Sequence, residues 1–325
     1  MPVTASTRPE PPINALGRLL SGLARRRTAD VAVFHEFHAP PYGGGNQFLL
    51  ALVGEVERRG LTVEKNRVSR GTPSCLYNSF NFDFRRLRRS AGNDVRMVHR
   101  VDGPVGVYRG FDDGTDARIA AINELADVTI LQSQFSLDKH RELGIELRNP
   151  IVVRNSVDPS IFHPPSEPRV AGDRLRVIAT SWSANLRKGA DILAWIDRNL
   201  DFGAYDVTFA GNTEQTFANI RVVPPVPSRD VAELLRGHDV YLAASRDDPC
   251  SNALLEGLAC GLPAAFLQSG GHPELVGEGG VGFDEPEELP SVLARLSDEL
   301  RERRARIHVP PLRDVADRYL EALHG

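Results

Sequence analysis

The stretch SRDDPCSNALLEGLACGLP, from Ser245 to Pro263, holds two carboxylates whose spacing suits an elongated anionic ligand. Pro249 lacks the N–H that a helix interior needs but fits a first turn. A helix is therefore predicted to start between Pro249 and Ser251 and to carry Glu256 in its second turn. Asp248 and Glu256 then stand up to about 12 Å apart along the helix axis. That separation resembles the distance from a ribose to a hexose across a diphosphate, with the free N–H groups of the helix start between them, where phosphates need donors. A purely local reading of the same residues makes Asp248 an N-cap and Glu256 a solvated helix residue.

Other positions could serve such a ligand. WSANLRKGADIL sets Arg187 and Lys188 just before a predicted helix, where a lysine can point back over strand ends and neutralise a diphosphate; basic residues in a solvated loop give the same pattern. Gly43, Gly44 and Gly45 lie between a predicted strand and a helix starting near Asn46, which suits close approach of backbone to an anion and equally suits a tight turn. In MVHRVDG, His99 and Asp102 fall at the carboxyl end of a predicted strand, available to a hydroxylated substrate or to structural hydrogen bonds. His35 and His38, three apart on an extended segment, face opposite ways and are not expected to share a metal. The chain has no Asp-x-Asp, the usual carboxylate pair for a divalent cation on a sugar nucleotide, so no metal or other cofactor is expected.

The elements that must position these residues alternate along the chain. Short β-rich runs at 31–37, 61–65, 95–98, 128–131 and 151–153 are separated by helical patterns at 46–59, 116–125 and 136–143. A Pro- and Gly-rich linker is predicted at 161–173, and a second alternating series runs from 175 to 266, with closing helices at 285–306 and 312–323. Alternation of this kind predicts an α/β protein with two Rossmann-like, doubly wound domains in tandem, whose ligands bind at the carboxyl ends of the strands. A length of 325 residues suits two such domains. The division expected is an N-terminal extension at 1–30, a first domain at 31–165, a second at 172–310, and a C-terminal helix at 311–325 that crosses back to the first domain.

Composition narrows the partners. With 39 basic and 43 acidic side chains the net charge is −4, so nucleic acid is not an expected partner. Three cysteines without Cys-x-x-Cys spacing argue against a disulfide framework or a structural zinc and suit a reducing cytoplasm. No run approaches the ~20 apolar residues that span a bilayer, and the N-terminus lacks a secretory signal, so neither export nor a transmembrane span is expected. Ile13, Leu16, Leu19, Leu20 and Leu23, closed by Arg25, Arg26 and Arg27, predict a basic amphipathic helix; it either lies on an anionic membrane face or packs on the body of the protein.

Taken in order, these segments resemble the GT-B glycosyltransferases, most closely the retaining glycosyltransferase family 4 with its glycosyl transferase group 1 domain. VVRNSVDPSIFHP resembles the family's run at the end of the first domain, and Lys188–Gly189 its phosphate-binding Lys-Gly. DDPCSNALLEGLACGLP resembles its E-x7-E segment with Asp248 in the first place, GGHPELVGEGGVGF the run after it, and ADVTILQSQFS the family's "aD.vi..S". The resemblance covers nearly everything from Val31 onward.

The resemblance implies two domains facing across a cleft, and transfer of a sugar from a nucleoside-diphosphate sugar to an acceptor hydroxyl with retention of configuration and no metal. It implies that Glu256 holds the ribose and that Asp248, with the backbone at Ser251 and Asn252, faces the donor sugar and diphosphate. It further implies that Lys188 supports the leaving phosphate, that Gly44 and Gly45 close over the donor, and that either His99 or Asp102 stands at the family's active-site histidine. The family's arginine five residues before Lys188 is Ser183 here, with Arg187 or Asn185 as substitutes. A glycan, a lipid or a small aglycone all fit as acceptor. The rival readings are a sugar-nucleotide epimerase of GT-B shape and a catalytically silent sugar-nucleotide-binding subunit.

Overall fold

The computed structural model describes residues 29–325 apart from 40–42, 91–93 and 168–171, so the predicted basic helix at 13–27 lies outside the described residues. The first domain opens with β1 (Val31–Phe34), whose four residues VAVF are all buried, as a parallel strand covered on both faces requires. It continues through α1 (Gly44–Arg58), β2 (Val63–Lys65), β3 (Ser74–Asn78), α2 (Phe84–Ser90), β4 (Arg96–Val101), α3 (Val105–Arg109), α4 (Thr115–Asn123), β5 (Val128–Leu131), α5 (Gln134–Glu142) and β6 (Pro150–Val152). These strands pair in parallel in the order β2-β1-β3-β4-β5-β6. Ser74–Asn78, where no strand is predicted from the sequence, is a fully buried strand between β1 and β4. Its residues SCLYN lack the alternation and β-branching that mark a strand, because both of its faces are covered.

The second domain comprises β7 (Leu175–Ser181), a 3-10 turn at Leu186–Lys188, α6 (Ala190–Asn199), β8 (Tyr205–Gly211), β9 (Arg221–Val223), α7 (Ser228–Arg236), β10 (Val240–Ala243), α8 (Asn252–Ala259), β11 (Ala264–Leu267), α9 (His272–Val276), β12 (Gly280–Phe283), α10 (Leu289–Asp298) and α11 (Leu300–Ala305). Its parallel order is β12-β11-β10-β7-β8-β9. Strand order reverses between β7 and β10, so the loops leaving those two strands diverge and open a crevice.

The domains share residues. Val157 and Phe162, which precede the predicted linker or fall at its start, are buried against Ile178, Ala232 and Leu235 of the second domain. The last helix, α12 (Leu312–His324), places Val315, Ala316, Tyr319, Ala322 and Leu323 in the core of the first domain with Val31, Val33, Phe48 and Leu49. Glu274 of α9 accepts from the N–H groups of Gln134 and Phe135, both at 3.0 Å, and so caps the start of α5 across the domain boundary. No helix among the described residues is long and apolar enough to cross a membrane.

Candidate functional site

A cleft of about 360 Å³ lies between the carboxyl ends of the two sheets. On its second-domain wall, the chain leaves β7, crosses Trp182 and Ser183, and tightens into the turn at Leu186–Lys188, where Asn185 Oδ1 accepts from Arg187 N at 2.9 Å. Gly189 follows at φ 92°, so close to the end of β10 that a Cβ would stand 2.4 Å from the Ala244 Cβ. Only glycine lets the turn lie this near the strand ends and bring Lys188 over them. Lys188 Nζ donates to Asp248 Oδ2 at 2.6 Å.

Asp248 is 7% exposed. Burial pushes its carboxyl up, but the Lys188 charge and the hydrogen bonds from Lys188 and Cys250 N outweigh burial and hold it below the usual carboxylate range. The preceding residue, Asp247, adopts φ 52°, a left-handed conformation that aspartate tolerates. Behind Asp248, Ser245 Oγ lies 3.0 Å from His272 Nε2, while His272 Nδ1 is 3.1 Å from the Leu267 carbonyl. Burial depresses the His272 pKa, so the neutral ring donates from Nδ1 and accepts from Ser245.

Helix α8 starts beside this cluster with Ser251 as its N-cap, Ser251 Oγ accepting from Leu254 N at 3.3 Å. Asp248 is therefore not the cap; its Oδ1 accepts from Cys250 N at 3.2 Å. Ser251, Asn252 and Glu256 all line the cleft. The Glu256 side chain has no hydrogen-bond or ion-pair partner among the described residues, and burial alone pushes its carboxyl up to about 8. A carboxyl that keeps its proton at neutral pH both donates and accepts, which suits the vicinal hydroxyls of a sugar. Pro224, Pro225 and Val226, in the loop between β9 and α7, line the same cleft.

The first-domain wall is formed by Gly43, Gly44, Gln47, Asp102, Tyr108 and Gln132. Helix α1 begins at Gly44, two residues earlier than expected, with Gly43 at φ 46° as its N-cap. A Cβ on Gly44 would stand 2.7 Å from Asn252 Cβ, so the starts of α1 and α8 meet through a glycine. Gly45 faces open space and is not on the cleft. Arg187 is also turned away: its guanidinium pairs with Asp247, and its Cδ would lie 2.8 Å from a Cβ on Gly110. Asn185 Nδ2 donates to the Arg109 carbonyl at 3.4 Å, so neither candidate replacement for the arginine at Ser183 reaches the cleft.

His99 and Asp102 separate cleanly. His99 is fully buried in β4, with Nε2 2.9 Å from the Ser79 carbonyl, Nδ1 2.9 Å from Asn123 Nδ2, and its ring stacked on Tyr77 at 4.4 Å. Burial lowers its pKa to about 4, and the neutral ring faces the sheet rather than the cleft. Asp102, the first residue beyond β4, reaches the cleft and is held by Arg100 Nη1 at 2.8 Å and Ser79 Oγ at 3.3 Å. Arg100 was not among the residues singled out from the sequence: its strand, RMVHRV, also carries Arg96 and His99, so a further arginine there did not stand out. Ser245 and His272 carried no signal either.

Comparison with known proteins agrees with this architecture. Residues 202–299 match the family model described as glycosyl transferases group 1. Over 100 residues the chain is 30% identical to a D-inositol 3-phosphate glycosyltransferase of Streptosporangium roseum, a stretch that covers 30% of this chain and 21% of that protein. Its structure is similar to that of sucrose-phosphate synthase from Thermosynechococcus elongatus, with a TM-score of 0.68 and 14% identity, covering 90% of this chain and 94% of that one. It is also similar to Anabaena HepE in complex with UDP-glucose, with a TM-score of 0.63 and 14% identity over 90% of this chain and all of that one (100%). The chain thus has the two-domain GT-B fold, and its second domain carries a stretch of the glycosyl transferases group 1 type.

Proposed function

We propose that this protein transfers a sugar from a nucleoside-diphosphate sugar to an acceptor hydroxyl with retention of configuration and without a metal, as a family 4 glycosyltransferase. The observation that carries the reading is the meeting of Lys188, Asp248 and Glu256 on one wall of a cleft with Asp102 on the other. In this reading Glu256 takes the ribose, the start of α8 and Lys188 take the diphosphate, and Asp248 faces the donor sugar. The anomeric C–O bond to the diphosphate breaks as the acceptor oxygen attacks from the same face, and the departing phosphate oxygen receives the hydroxyl proton. No carboxylate nucleophile is needed, and Lys188 with the helix N–H groups stabilises the charge that develops on the leaving group. HepE is described with UDP-glucose, which makes a uridine diphosphate sugar the first donor to try. A cytoplasmic site of action, and peripheral membrane contact through 13–27, belong to the same proposal and rest on the composition of those segments.

The test is calorimetry and thermal shift against UDP, GDP, ADP and TDP and their glucose conjugates, with and without EDTA. Selective stabilisation by one nucleotide that survives chelation is the expected result. Binding abolished by EDTA removes metal independence, and no binding across the panel removes the donor site.

A further inference from the structure

Arg100 is a charged side chain with 0% exposure in the middle of the molecule. Taking a guanidinium out of water costs several kcal/mol, so its partners must be specific. Nη1 donates to Asn78 Oδ1 at 2.6 Å and to Asp102 Oδ1 at 2.8 Å, and Nη2 donates to Asn155 Oδ1 at 3.2 Å. The chain of contacts continues out of the first domain, because Asn155 Nδ2 donates to Asn252 Oδ1 at 3.0 Å, on the first residue of α8. The Phe48 ring lies 5.1 Å from the guanidinium carbon. Arg100 Nε, by contrast, is buried without a hydrogen-bond partner. A buried ion pair is a weak device for stability, and one that leaves a donor unmet is weaker still.

We infer that Arg100 is a positioning residue: it aims the Asp102 carboxylate at the cleft and, through Asn155 and Asn252, locks that carboxylate in register with the helix start on the donor wall. This rests on the glycosyltransferase reading above. The forked guanidinium is what the role requires, since Asp102, Asn78 and Asn155 are reached from two nitrogens of one rigid plane. A lysine carries the charge but a single point of attachment. Asp102 touches the cleft; Arg100 does not, and acts through Asp102 and the Asn155–Asn252 link.

The experiment uses the full chain and needs no acceptor. Sugar release to water from UDP-, GDP-, ADP- or TDP-glucose is followed as liberated nucleoside diphosphate and divided by the nucleotide-binding sites counted by calorimetry. Arg100→Met is expected to lower kcat per binding site at least about tenfold while leaving the diphosphate Kd within about threefold, because misorientation of a positioned group costs rate more than ground-state binding. A purely structural arginine would change the number of sites and not the rate of each. Arg100→Lys is expected to recover only part of the loss, and Asp102→Asn is expected to add little in the Arg100→Met background. Unchanged kcat per site in a folded Arg100→Met, or full recovery with lysine, overturns the inference while the enzyme reading stands. If Arg100→Met does not fold, Arg100→Lys combined with Asp102→Asn decides: additive losses overturn the inference, and non-additive losses support it. A wild-type chain that binds none of the nucleotides overturns the glycosyltransferase reading and this inference with it.

Discussion

Lys188 Nζ stands 2.6 Å from Asp248 Oδ2, so the cation nearest the proposed leaving group is already held by a carboxylate before any donor arrives. The pair defines where the lysine ammonium sits and keeps Asp248 ionised although it is almost fully buried.

Lys188→Ala is expected to lower turnover at least ~10²-fold, the usual loss for one such stabilising donor. It also strands a buried carboxylate. Because Asp248 titrates below its unfolded value, the stabilisation it gains from Lys188 is present at neutral pH and lost on acidification; removing Lys188 moves that loss to higher pH. Thermal unfolding between about pH 3 and 7 should show the shift, and adding Asp248→Asn should restore stability while turnover stays low.

Glu256 has the opposite sign. Burial raises it to about 8, so the folded protein keeps a proton that the unfolded chain releases near 4.5, and stability falls as pH rises through that interval. Relative to Glu256→Gln, the wild-type Tm should drop between about pH 5 and 8, and the two curves should converge near pH 4. Glu256→Ala is expected to weaken nucleotide binding roughly tenfold in a folded protein, about 1.4 kcal/mol for lost hydrogen bonds to a hydroxyl pair. Unchanged affinity would remove the ribose assignment.

Gly44→Ala drives a methyl group into Asn252 and must push the two helix starts apart. The expected result is a loss of turnover of about tenfold with nucleotide affinity changed by less, since Asn252 is displaced while Lys188, Asp248 and Glu256 have no contact with the new methyl group. Gly45→Ala, with open space around it, should have a far smaller effect on both, and equal effects from the two variants would count against a close approach at Gly44.

Asp102→Asn is expected to lower kcat per folded molecule at least about tenfold, because the group acts in the cleft, and also to lower Tm, because it leaves the buried Arg100 guanidinium without its counter-charge. His99→Gln should lower Tm while kcat per folded molecule changes little, because His99 serves Ser79, Asn123 and Tyr77. A His99 pKa near 4 also means that the folded state resists a proton that the unfolded chain takes up below about 6.5, so this residue contributes to instability on mild acidification.

How much of this was legible depended on whether one segment or several had to be read. The alternation of elements gave two doubly wound domains, and a single stretch of sequence contained Asp248, Ser251, Asn252 and Glu256, all of which line the cleft. Lys188 was readable because the strand and helix flanking it were. The strand at Ser74–Asn78 was not, since burial on both faces removes the alternation that advertises a strand. The choice between His99 and Asp102 needed the exact end of β4, which periodicity fixes only to a few residues. Arg187 looked like a phosphate ligand until Asp247, in its left-handed conformation, turned out to hold it elsewhere. Arg100 required Asn78, Asn155 and Asn252, three residues from distant segments that only the fold brings together.

The helix α12 lies in the core of the first domain although the entire second domain separates it from that domain in sequence. During synthesis the second domain therefore leaves the ribosome with all of its strands, while the earlier-made first domain still lacks Val315, Ala316, Tyr319, Ala322 and Leu323. Its apolar face must wait, open to chaperones, until those residues emerge. A chain cut short after α11 would carry an intact donor half joined to a first domain that cannot close its core.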